Sequence, residues 1–112
     1  MDNTKLIDSA KIIRQNPTQF SIEGRVSFYT VPDLLKQAQT YLKALDSEKS
    51  KQAVFDLSQT ESCDSAALAL MLEIVKTGKQ ANLNLQFDNM PDSLSQIAKA
   101  YGIETEMRDF FK

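Results

Sequence analysis

The chain contains no histidine, no tryptophan and a single cysteine among its 112 residues. Without histidine, a serine–histidine triad cannot be assembled, and a structural zinc site built on Cys/His ligands is excluded. One cysteine cannot close a disulfide within the chain, which fits a reducing compartment. Glycine and proline are scarce, three of each. Gly24, Gly78 and Gly102 are too scattered for a phosphate-cradling loop. No charge of one sign dominates: 13 basic residues against 15 acidic leave a net charge of −2. That balance gives no reason to expect nucleic-acid binding, and Lys36, Lys43, Lys49 and Lys51 read as solvated surface. Long hydrophobic runs are missing too. The longest, Ala66–Leu72, has seven residues and stops at Glu73, far short of the ~18 a membrane-spanning helix needs.

What is present describes a globular domain. Hydrophobic residues make up 42 % and charged residues 25 %, a composition neither disordered nor membrane-embedded. The length suits one domain, and no repeat, linker or low-complexity tract divides it. The stretch Met1–Gln15 carries charges at Asp2, Lys5, Asp8, Lys11 and Arg14. It therefore lacks the apolar core of about 7–15 residues found in a secretory signal, and a cytoplasmic location is expected.

The periodicities predict a β-β-α-β-α-β-α order. Ala10–Ile13 is a short strand candidate ending at the Asn16-Pro17 turn signal. Phe20–Glu23 alternates apolar and polar residues, as a half-buried strand does. Val31, Leu34, Leu35, Ala38, Leu42 and Leu45 then form one helical stripe, with Pro32 in the first turn and Thr30 as N-cap. After the charged connector Asp46–Gln52, Ala53–Leu57 reads as a buried strand. A polar turn leads to Asp64-Ser65, which opens a second helix expected to end near Gly78. Leu83, Leu85 and Phe87 mark another strand. Asn89-Met90-Pro91 starts a third helix with Leu94, Ile97, Ala98 and Tyr101 on one face and Gly102 closing it. The tail Met107–Lys112 fits a strand or a helical turn. Successive β-α-β crossovers imply parallel pairing in part of the sheet. The expected class is α/β, with a mixed sheet of four or five strands.

The second helix is the most informative element. At about 100° per residue, Ala67, Leu68, Met71, Leu72, Ile74 and Val75 form an apolar sector, and Leu70 widens it to roughly 200°. Docking on a sheet requires only about 100°. Either the excess touches neighbouring helices, or Ala66, Leu70 and the flank near Thr77 form part of a partner surface. Asp64 suits the N-cap and Ser65 the first helical position. A phosphate on Ser65 would sit among unpaired N–H groups that favour negative charge, though a plain capped helix explains the pair equally. Phe28 and Tyr29, in the connector before the first helix, are either core anchors or exposed interface anchors. Cys63 has no histidine to activate it and reads as a small buried thiol. Asp56 reads as a strand-end residue that ties down a loop, not as half of an acid–base pair with Asp64.

The register D-L-S-x-x-x-x-x-D-S-x-x-L, from Asp56 through Asp64 and Ser65 to Leu68, resembles the signature of the STAS family. That family includes anti-sigma-factor antagonists and transporter-associated modules. Ile22-x-Gly24-x-Val26 is similar to a second landmark of the family, and the resemblance extends over about Phe20–Ile103. It implies a curved sheet with helices packed on one side, and a functional end at the loop into the second helix. Many antagonists read Asp-Ser-x-Gly-Leu, whereas this chain has Ala67 at the glycine position. Its Leu68–Leu72 run and its Ile97-Ala98-Lys99-Ala100-Tyr101 ending look instead like the MlaB branch, the STAS subunits of bacterial phospholipid transporters.

The resemblance thus implies a non-enzymatic module that binds an MlaF-like ABC transporter ATPase subunit. Asp64, Ser65, Ala66, Leu70, Phe28 and Tyr29 are the expected partner-binding residues, and Ser65 is a candidate phosphorylation site. The domain is expected to span residues 16–112, preceded by a tail and first strand over 1–15. No catalytic residue, metal, cofactor, nucleic acid or direct membrane insertion is expected. The alternative is an anti-sigma factor antagonist switched by phosphorylation of Ser65.

Overall fold

A computed structural model of the chain describes residues 9–46 and 52–110. The tail before Ser9, most of the Asp46–Gln52 connector and the final two residues lie outside the described residues. The chain folds as β1 (Ala10–Asn16), β2 (Gln19–Val26), α1 (Val31–Asp46), β3 (Gln52–Asp56), β4 (Thr60–Cys63), α2 (Ser65–Gln80), β5 (Asn84–Asp88), α3 (Asp92–Ala100) and α4 (Glu104–Met107). A 3₁₀ turn over Arg108–Phe110 follows, so the described part of the tail is helical.

The five strands form one mixed sheet. β1 pairs antiparallel with β2, while β2–β3 and β3–β5 are parallel. Strand alternation sends every second residue to the helix-covered face. Phe20, Phe55 and Phe87 stand in register there across β2, β3 and β5. Their rings follow one another at 5.2 and 5.8 Å, and Tyr41 of α1 closes on Phe20 at 5.0 Å. Aromatic pairs at such spacings contribute about 0.5–1.5 kcal/mol beyond simple burial. Ile22, Leu34, Leu42, Met71, Ile74 and Leu94 complete a core that excludes water almost fully.

Three features depart from the sequence expectation. The polar segment Thr60–Cys63 is not merely a turn. It is β4, parallel to the far half of β2, with Gly24 opposite Thr60 and Val26 opposite Cys63. Gly78 does not end α2, which continues to Gln80. It is buried because the Leu85 side chain occupies the space a Cβ would need. β1 also extends beyond the expected Ala10–Ile13, running to Asn16.

Candidate functional site

β2 and β4 run side by side and end together, and this delivers two loops to one corner of the molecule. β2 continues into Ser27–Thr30. β4 continues into Asp64 and the start of α2. The backbone N–H of Asp64 donates to the carbonyl of Val26 at 3.2 Å and joins the two strand ends. Gly24, two residues before the end of β2, adopts φ +101°. Its N–H donates to the Gln59 carbonyl, and the Arg25 N–H donates to the Ser9 carbonyl, so β1 and the β3–β4 turn both close against it.

The loop before α1 is fastened by its own side chains. The Thr30 hydroxyl accepts the Ser27 N–H at 2.9 Å and donates to the Arg25 carbonyl at 2.7 Å. Thr30 thus closes the turn ahead of the helix instead of capping its first turn. The Ser27 hydroxyl accepts the Tyr29 N–H at 3.2 Å. Held this way, Phe28 and Tyr29 point outward with 74 % and 77 % of their surfaces exposed. Their rings meet edge to face at 5.9 Å. Of the two readings left open for this pair, core anchors are excluded.

Asp64 is the N-cap of α2: its Oδ1 accepts the Ala66 N–H at 2.8 Å. Its Oδ2 accepts the Phe28 N–H at 3.0 Å. Ser65, the first residue of α2, is exposed, and its hydroxyl has no hydrogen-bond partner among the described residues. The outward stripe of α2 then runs Ser65, Ala69, Leu72, Lys76, at the i, i+4, i+7, i+11 spacing of one helix face. Across from this stripe lie Tyr101 and Ile103, just beyond α3. Together with Phe28 these elements enclose an open groove of about 600 Å³. Small side chains (Ser65, Ala66, Ala69) line it on the α2 side together with Leu72, and Phe28 and Tyr101 flank it.

The expected site residues therefore gather, with one exception. Phe28, Asp64, Ser65 and Ala66 line the groove, and Tyr29 braces Phe28. Leu70 does not belong: it is fully buried. The physical reason is the neighbouring helix. Thr77, seven residues on and on the same stripe as Leu70, shares a small cleft with Leu42 and Lys43 of α1. The flank expected to meet a partner thus faces α1. Two residues placed on the apolar helix faces reach the surface, Leu72 at 43 % and Tyr101 at 63 % exposure. The Leu72 position was readable from its stripe, which starts at a serine and ends at a lysine. Tyr101 is the C-cap of α3 and keeps its place on the helix stripe, its N–H still donating to the Ile97 carbonyl at 3.0 Å, but it stands at the end of the helix on the groove rim.

The remaining polar residues are structural. Asp56 accepts the Ser58 N–H (2.9 Å) and the Asn89 side-chain amide (2.8 Å) at Oδ1, and the Ser58 hydroxyl (2.9 Å) at Oδ2. Burial pushes its carboxyl upward, but these bonds together outweigh that and hold it below the ordinary value. Asp56 thus ties the β3–β4 turn to the β5–α3 turn and belongs to a different network from Asp64. Cys63 is half-buried rather than buried. Burial pushes its thiol up, Ser93 opposes that through a hydrogen bond, and the nearby Asp64 charge adds to the rise. Among the described residues no cluster of three or more His, Cys, Asp or Glu could hold a metal ion. None of the described helices is long and apolar enough to cross a membrane.

Comparisons with known proteins place this architecture. No curated protein matches the sequence significantly. The solved structure of the anti-sigma factor antagonist SpoIIAA in its unphosphorylated form shares the fold, with a TM-score of 0.67. The likeness covers 93 % of this chain and 86 % of that one at 9 % identity. The family model described as MlaB, STAS domain matches residues 10–109, from the first strand to the final 3₁₀ turn. The chain accordingly belongs to the STAS domain family and is MlaB-like within it.

Proposed function

We propose that this chain is a non-enzymatic STAS subunit that binds an MlaF-like ABC transporter ATPase. In this reading it sits at the cytoplasmic face of the inner membrane, held there through its partner, and supports phospholipid transport that maintains outer-membrane lipid asymmetry. The observation that carries the reading is the apolar groove beside Ser65 in an MlaB-like STAS chain. Four large hydrophobic side chains (Phe28, Tyr29, Leu72 and Tyr101) are exposed around that one serine. A contiguous apolar patch on a small domain marks a surface that another molecule covers. Docking would bury the outward stripe of α2 and the Phe28–Tyr29 pair, with Ser65 in direct contact.

A second reading is favoured by the exposed and unbonded Ser65 hydroxyl at the start of a 16-residue helix. A kinase could modify it there, and the chain would then act as a phosphorylation-switched anti-sigma factor antagonist. Affinity purification from the native host, with mass-spectrometric identification and intact-mass measurement, separates the two. Recovery of an ABC ATPase with unmodified chain supports transport. Recovery of a serine kinase with a phosphorylated Ser65 pool supports the switch. Full ATPase binding by a Ser65→Glu, Leu72→Asp double variant overturns the assignment of the surface.

A further inference from the structure

The Asp64 carboxylate makes two bonds that serve different purposes. Oδ1 caps α2 at Ala66, a local contact that many residue types could supply. Oδ2 reaches across 36 positions of sequence to the Phe28 N–H. That N–H belongs to the residue whose ring rims the groove and packs against Tyr29. The other loop donors are already accounted for: Ser27 N–H by Thr30 Oγ1, Tyr29 N–H by Ser27 Oγ, Thr30 N–H by the Ser27 carbonyl. Asp64 is thus what links the tip of the aromatic loop to the helix that carries Ser65. On this basis, and resting on the docking surface proposed above, we propose that Asp64 is a positioning residue for binding. It holds Phe28 and Tyr29 in register with Ser65, so that the partner meets a preassembled surface.

The chemistry requires a carboxylate specifically. Two N–H donors converge on two separate acceptor oxygens. Serine and asparagine are as good as aspartate at an N-cap, but serine offers one oxygen. Asparagine offers one oxygen and an NH₂ group, which is itself a donor and would face the second N–H. Asp64→Ser and Asp64→Asn therefore keep the cap and lose the bridge, which separates the positioning role from helix stability. Ordering side chains before association removes a cost otherwise met on binding.

The test uses the full chain, free and with the purified ATPase. In the free chain, amide exchange by NMR at Phe28 should quicken about fivefold in Asp64→Asn and Asp64→Ser, as expected for one lost hydrogen bond. Core amides of β3 should stay at the wild-type rate. Affinity for the ATPase should fall about tenfold in both variants with thermal stability retained. Adding Phe28→Ala to Asp64→Asn should cost little more, because the bridge acts through that ring. Unchanged Phe28 exchange, or losses from Asp64→Asn and Phe28→Ala that add in full, would overturn the proposal. A wild-type chain that fails to bind the ATPase would defeat the docking reading instead, and the exchange measurement would still decide the bridge.

Discussion

Leu70 and Leu72 lie two residues apart on α2 and should behave as opposites. Leu70 is fully buried on the α1 side, whereas Leu72 keeps 43 % of its surface exposed on the groove rim. Truncating a buried leucine to alanine removes its transfer energy and leaves a cavity, a cost of about 2–5 kcal/mol. Each kcal/mol lowers the melting temperature of a domain this size by roughly 4–8 °C. Leu70→Ala should therefore melt at least about 8 °C below wild type. Leu72→Ala gives up only partial burial, about 1 kcal/mol. In binding the order reverses. Leu72→Ala should weaken ATPase affinity roughly fivefold, and Leu72→Asp far more, because docking would bury a charge without a partner. Leu70→Ala, assayed below its transition, should bind as wild type does. Circular-dichroism melts and titration calorimetry on the three variants check both halves. Equal stability losses from Leu70→Ala and Leu72→Ala would put Leu72 in the core and refute the placement of the site.

Three further outcomes follow from local geometry. A Cβ at Gly24 would collide with the Ser9 carbonyl while the backbone stays at φ +101°, so Gly24→Ala should cost about 2–4 kcal/mol by chemical denaturation. A variant as stable as wild type would mean the β1–β2 pairing near Ser9 is loose. The folded-state carboxyl of Asp56 lies below its ordinary value of 3.8, so the unfolded chain binds that proton more readily. Its contribution is complete above the unfolded value and is lost as pH falls through the folded one. The stability gap between wild type and Asp56→Asn should accordingly narrow as the pH drops below about 4, and a gap independent of pH would count against the network. Finally, Cys63, with its thiol pushed up by burial, should react with a thiol reagent at neutral pH at least about tenfold more slowly in the folded chain than in denaturant. Equal rates would show that the thiol is open to solvent.

The parts of the fold that bury side chains were legible in the sequence; those built from backbone alone were not. Phe20, Phe55 and Phe87 stand out as apolar residues in short strands, and α1, α2 and α3 declare themselves by their stripes. β4 gives no such signal. Thr-Glu-Ser-Cys has no buried face, and the strand is held by its ladder to β2 and by the Thr60 hydroxyl donating to the Ile22 carbonyl at 2.9 Å. The Leu70 error has a different origin. A helical projection measures the width of an apolar arc but is blind to which flank another helix covers. Here α1 takes the Leu70–Thr77 side and leaves the Leu72 side open. Asp64 shows the same limit at the scale of one residue. Its capping bond to Ala66 follows from local order, while its bond to Phe28 exists only because β2 and β4 end together.

Within the docking surface proposed above, the same corner bears on Ala67, the residue at the glycine position of the antagonist pattern. Ala67 is fully buried and takes no part in the groove lining. Its methyl group therefore changes the packing beneath the start of α2 and leaves untouched what a partner would meet. The residues a partner would meet at the helix are Ser65, Ala66, Ala69 and Leu72, whose small and apolar side chains offer shape in place of charge. The aromatic rim comes from two distant segments, Phe28 before α1 and Tyr101 after α3. A surface of this kind discriminates by fit and by the desolvation of its rim, since the one charged side chain in its lining, Asp64, is already engaged by two backbone donors. Recognition would then depend on how rigidly Phe28 and Tyr101 are held apart across the Ser65 stripe. For that reason the bridge from Asp64, and not the serine alone, is the feature on which docking at this corner turns.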